Sequence, residues 1–135
     1  MPLYQITPQQ LPQVWPIAAP LLQKAIDLDP ESITIEQVEF FIRTGHTYLL
    51  VWDEPGVGII GAITVEFIDY PRYRVAHSNL LGGKAFARQH IFEEVCNWMR
   101  AHGATQAQGW AQGTIVKMYE KLGMTNTHQV MRIKL

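Results

Sequence analysis

Apolar positions along this chain pass from the strand period to the helical period and back, and each change marks an element. Leu3–Ile6 alternates weakly and predicts a short edge strand. Thr7, Pro8 and Gln10 then have the spacing of a helix start: a cap, a proline at the first helical position and a reciprocal partner at the third. Pro12, Pro16 and Pro20 follow at every fourth residue, each without a backbone donor. They predict a broken or kinked helix with Leu21, Leu22 and Ile26 turned inward. The next helix is better marked. Thr34 and Gln37 form a capping box, Ile33 and Val38 sit at the staple positions, and Gly45 closes it. Ile35, Val38, Phe41 and Ile42 form its apolar face.

Beyond Gly45 the pattern becomes that of strands. "TYLLVWD", "IIGAITVEFIDY" and "RVAHSNLL" are rich in β-branched and aromatic residues. The turns "EPGVG" and "PRY" separate them, so they predict an antiparallel meander that ends at "GG". From Lys84 to Gly103 the helical period returns. Ile91, Val95 and Met99, joined by Phe92, Cys96 and Trp98, oppose Gln89, Glu93, Asn97 and Arg100. "ATQAQGW" predicts a weak strand. "TIVKMYEKL" predicts a short helix striped by Ile115, Met118, Tyr119 and Leu122, and "HQVMRIKL" alternates as a last strand. A meander followed by βαβ units implies a mixed sheet covered by helices. No repeat, linker or low-complexity tract divides residues 1–135, which read as a single domain.

Composition narrows the function. Eleven basic residues balance 12 acidic ones, and 47% of the residues are hydrophobic. Such a chain is globular and offers no basic field for nucleic acid. No apolar run reaches membrane-spanning length, and the start "MPLYQITPQQ" lacks the features of a signal peptide. The single cysteine, Cys96, excludes an internal disulfide and fits a reducing compartment, so a cytoplasmic protein is expected. His46, His77, His90, His102 and His128 show no metal-ligand spacing, so no metal is expected.

The segment Lys117–Met124, "KMYEKLGM", ends a helix on Leu-Gly and places Tyr119 one turn before Gly123. With the element order, Tyr119-Glu120-Lys121-Leu122-Gly123-Met124 resembles the closing motif of the GNAT N-acetyltransferase superfamily. Leu80-Leu81-Gly82-Gly83-Lys84-Ala85 stands where that family has its Gln/Arg-x-x-Gly-x-Gly/Ala loop, with Gly83 and Ala85 in register and Lys84 adding a cation. Leu80 departs from the Gln/Arg position, and Gln112 stands where the family often has a capping Asn. "NLLGGK" and the short length also resemble small GNAT-like proteins of tailed phages.

The resemblance implies an α/β fold of α+β type, with a mixed, mostly antiparallel sheet of about six to seven strands and helices on both faces. It implies acetyl transfer from acetyl-CoA to an amine of a small molecule or protein. Leu80, Leu81, Gly82, Gly83, Lys84, Ala85 and Gln112 would then hold the cofactor, backbone N–H groups at a helix start binding its pyrophosphate. A backbone N–H within Ser78–Leu81 would support the thioester oxygen. Tyr119, a phenol with an ordinary pKa near ~10, would protonate the leaving thiolate. Glu66 and His77 are both candidates for the base, His77 by its ordinary pKa of roughly 6.5 and Glu66 through a water relay.

Each of these residues also has a packing explanation. Tyr119 fits a helix stripe, Gly82 and Gly83 fit a strand-to-helix turn, and His77 fits a strand interior. Trp110 falls near the cleft between strands. The phage resemblance carries a second function, a non-catalytic GNAT-fold binding or virion-assembly module. An apolar edge at the last strand would suit a homodimer.

Overall fold

The computed structural model describes residues 2–135. Its elements are β1 (Leu3–Ile6), α1 (Leu11–Ile26), α2 (Ile35–Arg43), β2 (Tyr48–Glu54), β3 (Gly58–Asp69), β4 (Arg74–Gly83), α3 (Gln89–Ala101), β5 (Gln106–Gly109) and α4 (Thr114–Lys121). A single 3-10 turn (Ala85–Ala87) lies between β4 and α3. The sheet has five strands in sequence order, antiparallel from β1 to β4 and parallel between β4 and β5. Six to seven strands were expected. The shortfall includes "HQVMRIKL", which forms no strand: residues 124–135 are irregular. Alternation makes a strand only where a partner edge lies within reach. Here Arg132 and Lys134 instead reach Asp29 at 3.0 Å and Glu31 at 3.5 Å, beside the α1–α2 connection. Met131 and Ile133 are left exposed, and the dimer edge that this strand would offer is not formed.

Helices cover both faces. On one, Phe86 and α3 residues Ile91, Val95 and Met99 pack on Leu50, Trp52, Ile63, Val65 and Ala76. On the other, α1 and α2 place Leu11, Ala18, Leu22, Ile26, Val38 and Ile42 on Ile6, Leu49, Val51 and Ala62. The α2 capping box forms as expected. Gln37 N–H donates to Thr34 Oγ1 at 3.2 Å, and Thr34 N–H donates to Gln37 Oε1 at 2.9 Å. Phe41, expected on the buried face, is exposed, and Val38 and Ile42 carry the packing.

Against expectation, α1 is continuous through Pro16 and Pro20. Each proline deprives the carbonyl four residues earlier of its donor. Pro12, Pro16 and Pro20 fall on one exposed stripe, so the carbonyls of Pro12 and Pro16 face water, while Ala18, Leu22 and Ile26 stay buried opposite. Lost bonds on the solvent side curve a helix around its core instead of breaking it.

The long helix expected from Lys84 starts late. Ala85 and Phe86 are buried, and they fit because Gly61 of β3 has no side chain: a Cβ there would lie 2.9 Å from both the Ala85 Cβ and the Phe86 ring. Packing these two side chains into β3 holds the chain in a 3-10 turn. An extended Arg88 (φ −79°, ψ 130°) separates the turn from α3.

Candidate active site

The site is created by the way β4 ends. Only Val75–Ser78 of β4 pairs with β5, through Gln106–Gly109. Beyond Ser78, β4 continues to Gly83 with β3 alone, so β4 and β5 part as a fork at Ser78 and Gly109. Asn79 is an extra residue at this point. Thr64 pairs Leu80 and Val65 pairs Ser78, which leaves Asn79 unpaired as a β-bulge. The bulge reverses the alternation: Ala76 faces the α3 side before it, and Leu81 rather than Leu80 faces that side after it. Buried Thr64 fastens the bulge, its Oγ1 accepting the Leu80 N–H at 3.0 Å.

Tyr119 of α4 reaches the fork from the α3 side. Its hydroxyl lies over Gly109, where a Cβ would come within 2.9 Å of the phenolic oxygen. With Ser78, Ile63, Leu81 and Met99 it lines a small, almost wholly apolar cavity of ≈ 20 Å³. Burial pushes the Tyr119 phenol above its ordinary 10.0, and the nearby Ser78 hydroxyl acts in the opposite sense. Yet Ser78 Oγ is buried without a formed hydrogen bond among the described residues, so the two oxygens are neighbours not yet joined.

The candidate bases lie on the other face. Glu66 and His77 are cross-strand partners, and both alternate with residues of the α3-side core. His77 is buried, and its Nδ1 lies 3.0 Å from Gln108 Nε2. Exposed Trp110 meets its ring edge-on at 5.3 Å. Burial lowers the His77 pKa below 6.5, against an upward pull from Glu66. With Nδ1 accepting from the Gln108 amide, the proton of the neutral ring sits on Nε2, so that nitrogen donates and does not accept. Glu66 is half-buried beside it.

The expected cofactor loop divides into two parts. Gly82 is buried, and a Cβ there would lie 2.2 Å from the Leu21 carbonyl oxygen of α1. Gly83 has φ +82°, and a Cβ there would lie 2.2 Å from the Ile60 carbonyl oxygen. Scaffold backbone therefore accounts for both glycines. Leu80 and Leu81 pack on opposite faces of the sheet, and Gln112 is exposed and caps nothing, since Gly113 takes the cap position of α4. Lys84 remains exposed. The sequence reading missed what α4 adds: Thr114, Lys117, Met118 and Lys121 face Ala87 across an open groove of ≈ 430 Å³. Lys84 and Arg88 flank the turn that carries Ala87, but Arg88 pairs with Glu54 at 3.8 Å, so the cations that line the groove itself are Lys117 and Lys121. Lys117 and Lys121 are one turn apart, a spacing visible in the sequence.

Among the described residues, no three or more His, Cys, Asp or Glu side chains gather as metal ligands, and no helix is long and apolar enough to cross a membrane.

No protein-family model matches the chain, and no curated protein matches it. Solved structures do. A ribosomal-protein-alanine N-acetyltransferase from Brucella melitensis biovar Abortus 2308 superposes with a TM-score of 0.73 at 10% identity, covering 100% of both chains. A probable acetyltransferase gives 0.71 at 16% identity, over 100% of this chain and 97% of its own. An aminoglycoside acetyltransferase from an uncultured soil metagenomic sample, in complex with sisomicin, gives 0.70 at 13% identity, over 98% and 93%. These neighbours are acetyltransferases matched over 93% to 100% of their length, and the fold is GNAT-like. The resemblance to phage proteins finds no support in them.

Proposed function

We propose that this protein is an acetyl-CoA-dependent N-acetyltransferase acting on an amine of a small molecule or protein. The observation that carries the reading is the fork at Ser78 and Gly109, with the Tyr119 phenol on one side and Glu66 and His77 on the other. Acetyl transfer needs a proton donor for the leaving thiolate and an acceptor for the proton of the incoming amine, placed either side of the reacting carbonyl.

Acetyl-CoA, when bound, supplies an acetyl group activated as a thioester. Lys117 and Lys121 suit its phosphates, with exposed Lys84 on the neighbouring turn and the first-turn N–H groups of α3, so the residues present fit this cofactor by charge. Gly82 and Gly83 serve as scaffold beside it. The β4 edge beyond Asn79, which has no β5 partner, offers backbone donors to a developing oxyanion. Tyr119 gives its proton to the leaving sulfur. Glu66, through water, is the better base, because His77 holds its Nε2 proton. His77, Gln108 and Trp110 form the wall past which the amine approaches.

One observation favours the non-catalytic alternative: the two glycines of the loop are explained by packing alone. An amine panel separates the readings. With acetyl-CoA and a set of primary amines, including aminoglycosides and peptides, the enzyme releases free thiol in proportion to amine, and Tyr119→Phe slows the release. Release at the buffer rate with every amine would leave a binding protein.

A further inference from the structure

Ser78 sits at the tip of the fork and belongs to none of the roles above. Three observations concern it. Its Oγ is buried and makes no hydrogen bond among the described residues, although the residue is only 8% exposed. A buried hydroxyl left unpaired destabilises the fold, so its persistence needs a reason. It lines the small apolar cavity that Tyr119 also lines, and no charged side chain shares that lining. Finally, Gly109, its parallel-strand partner, lacks the side chain that would push the Tyr119 hydroxyl away.

We propose that Ser78 is a positioning residue for Tyr119: its hydroxyl turns to donate a hydrogen bond to the phenolate that exists after Tyr119 has given up its proton. The inference rests on the acetyl-transfer reading. The proton balance closes. The Tyr119 O–H bond breaks as an S–H bond forms on the leaving thiol, and Ser78 donates to the resulting phenolate without losing its own proton. Glu66, through water, takes the proton shed by the newly acylated nitrogen and passes it to solvent, and the phenolate recovers one from solvent, so one proton leaves the amine and one reaches the thiol. The cavity's other polar side chain besides Tyr119, Gln108, is engaged with His77, and in such apolar surroundings a bond to a charged oxygen is stronger than between neutral groups. The contact lowers the cost of forming the phenolate, which burial alone raises.

The test is fluorine NMR of protein carrying 3-fluorotyrosine, with the Tyr119 signal assigned by its loss in Tyr119→Phe. In Ser78→Ala the Tyr119 signal titrates at higher pH than in the wild type, and in Ser78→Thr, which keeps the hydroxyl, it titrates as in the wild type. Circular dichroism at each pH confirms that the folded form is being read. An unchanged Tyr119 titration in folded Ser78→Ala would overturn the proposal. Kinetics add a second reading: Ser78→Ala lowers kcat about tenfold with KM for acetyl-CoA unchanged, as expected for about 1.4 kcal/mol of lost transition-state stabilisation. A moved titration in a protein that acetylates no amine would uphold the contact and reject acetyl transfer, so the two failures are distinguishable.

Discussion

Gly82 and Gly109 both lie in strands where no side chain fits, and they exclude it for different reasons. At Gly82 the space is taken by the Leu21 carbonyl oxygen of α1, which is rigid backbone. At Gly109 it is taken by the Tyr119 hydroxyl, the end of a side chain that can move. The first glycine lets α1 approach β4 and serves the fold. The second lets a phenol reach the fork, where the proposed chemistry would use it. Two glycines of similar appearance in the sequence thus separate into scaffold and candidate site only through what fills the missing Cβ.

That contrast can be broken by substitution. The largest effect is expected at Gly82→Ala, where backbone meets the new Cβ. The strain costs about 3 kcal/mol and is seen as a lowered midpoint in denaturant at unchanged slope. Unchanged stability would mean that α1 can retreat and that Gly82 is free for another role. Next comes Tyr119→Phe, which keeps the ring and removes the proton. It should cut kcat about 100-fold, near the lower end of the range for a general acid, with stability close to wild type. Equal turnover in the two proteins would reduce Tyr119 to a packing residue. Gly109→Ala should fall between them in kind: folded, but slowed about tenfold as the displaced phenol loses its aim. Charge reversal at Lys117 and Lys121 together should weaken acetyl-CoA about tenfold or more, increasingly so at low salt. Binding that ignores both would move the phosphates elsewhere.

The smallest effect is pH dependence from His77, which faces Glu66, Gln108 and Trp110. Burial sets its folded pKa below 6.5. Below that ordinary value the unfolded chain takes up a proton that the folded chain refuses, so stability falls as pH drops from 6.5 towards the folded value. Above 6.5 the residue contributes no slope. His77→Gln should flatten this part of the stability profile, and a profile that keeps its slope would place the titrating group elsewhere.

Local chemistry was the part of the fold most readable in the sequence. Thr34 and Gln37 announce α2 because a capping box needs only neighbours three residues apart. The meander was legible for the same reason, its turns lying between runs of strand-forming residues. Long-range facts were not legible. Pro16 and Pro20 predict a break unless one knows that they share the solvent face of α1. Met131 and Ile133 alternate like a strand, but alternation does not say whether an edge is within reach. The site shows the same division. Tyr119 stood out by its place before Leu-Gly, whereas the Lys117 and Lys121 groove depends on the 3-10 turn at Ala87 that no periodicity signals. What the missing side chains of Gly82 and Gly83 make room for was not legible, because Leu21 and Ile60 are far away in the chain.

The central claim is that the fork and the α4 groove together hold acetyl-CoA. Calorimetric titration of the wild-type protein with acetyl-CoA, beside Tyr119→Phe and the Lys117→Glu, Lys121→Glu double variant, tests it most directly. The account predicts saturable binding of one cofactor per chain, kept in Tyr119→Phe and weakened in the double variant. No heat of binding at millimolar acetyl-CoA, from a protein shown to be folded, would contradict it.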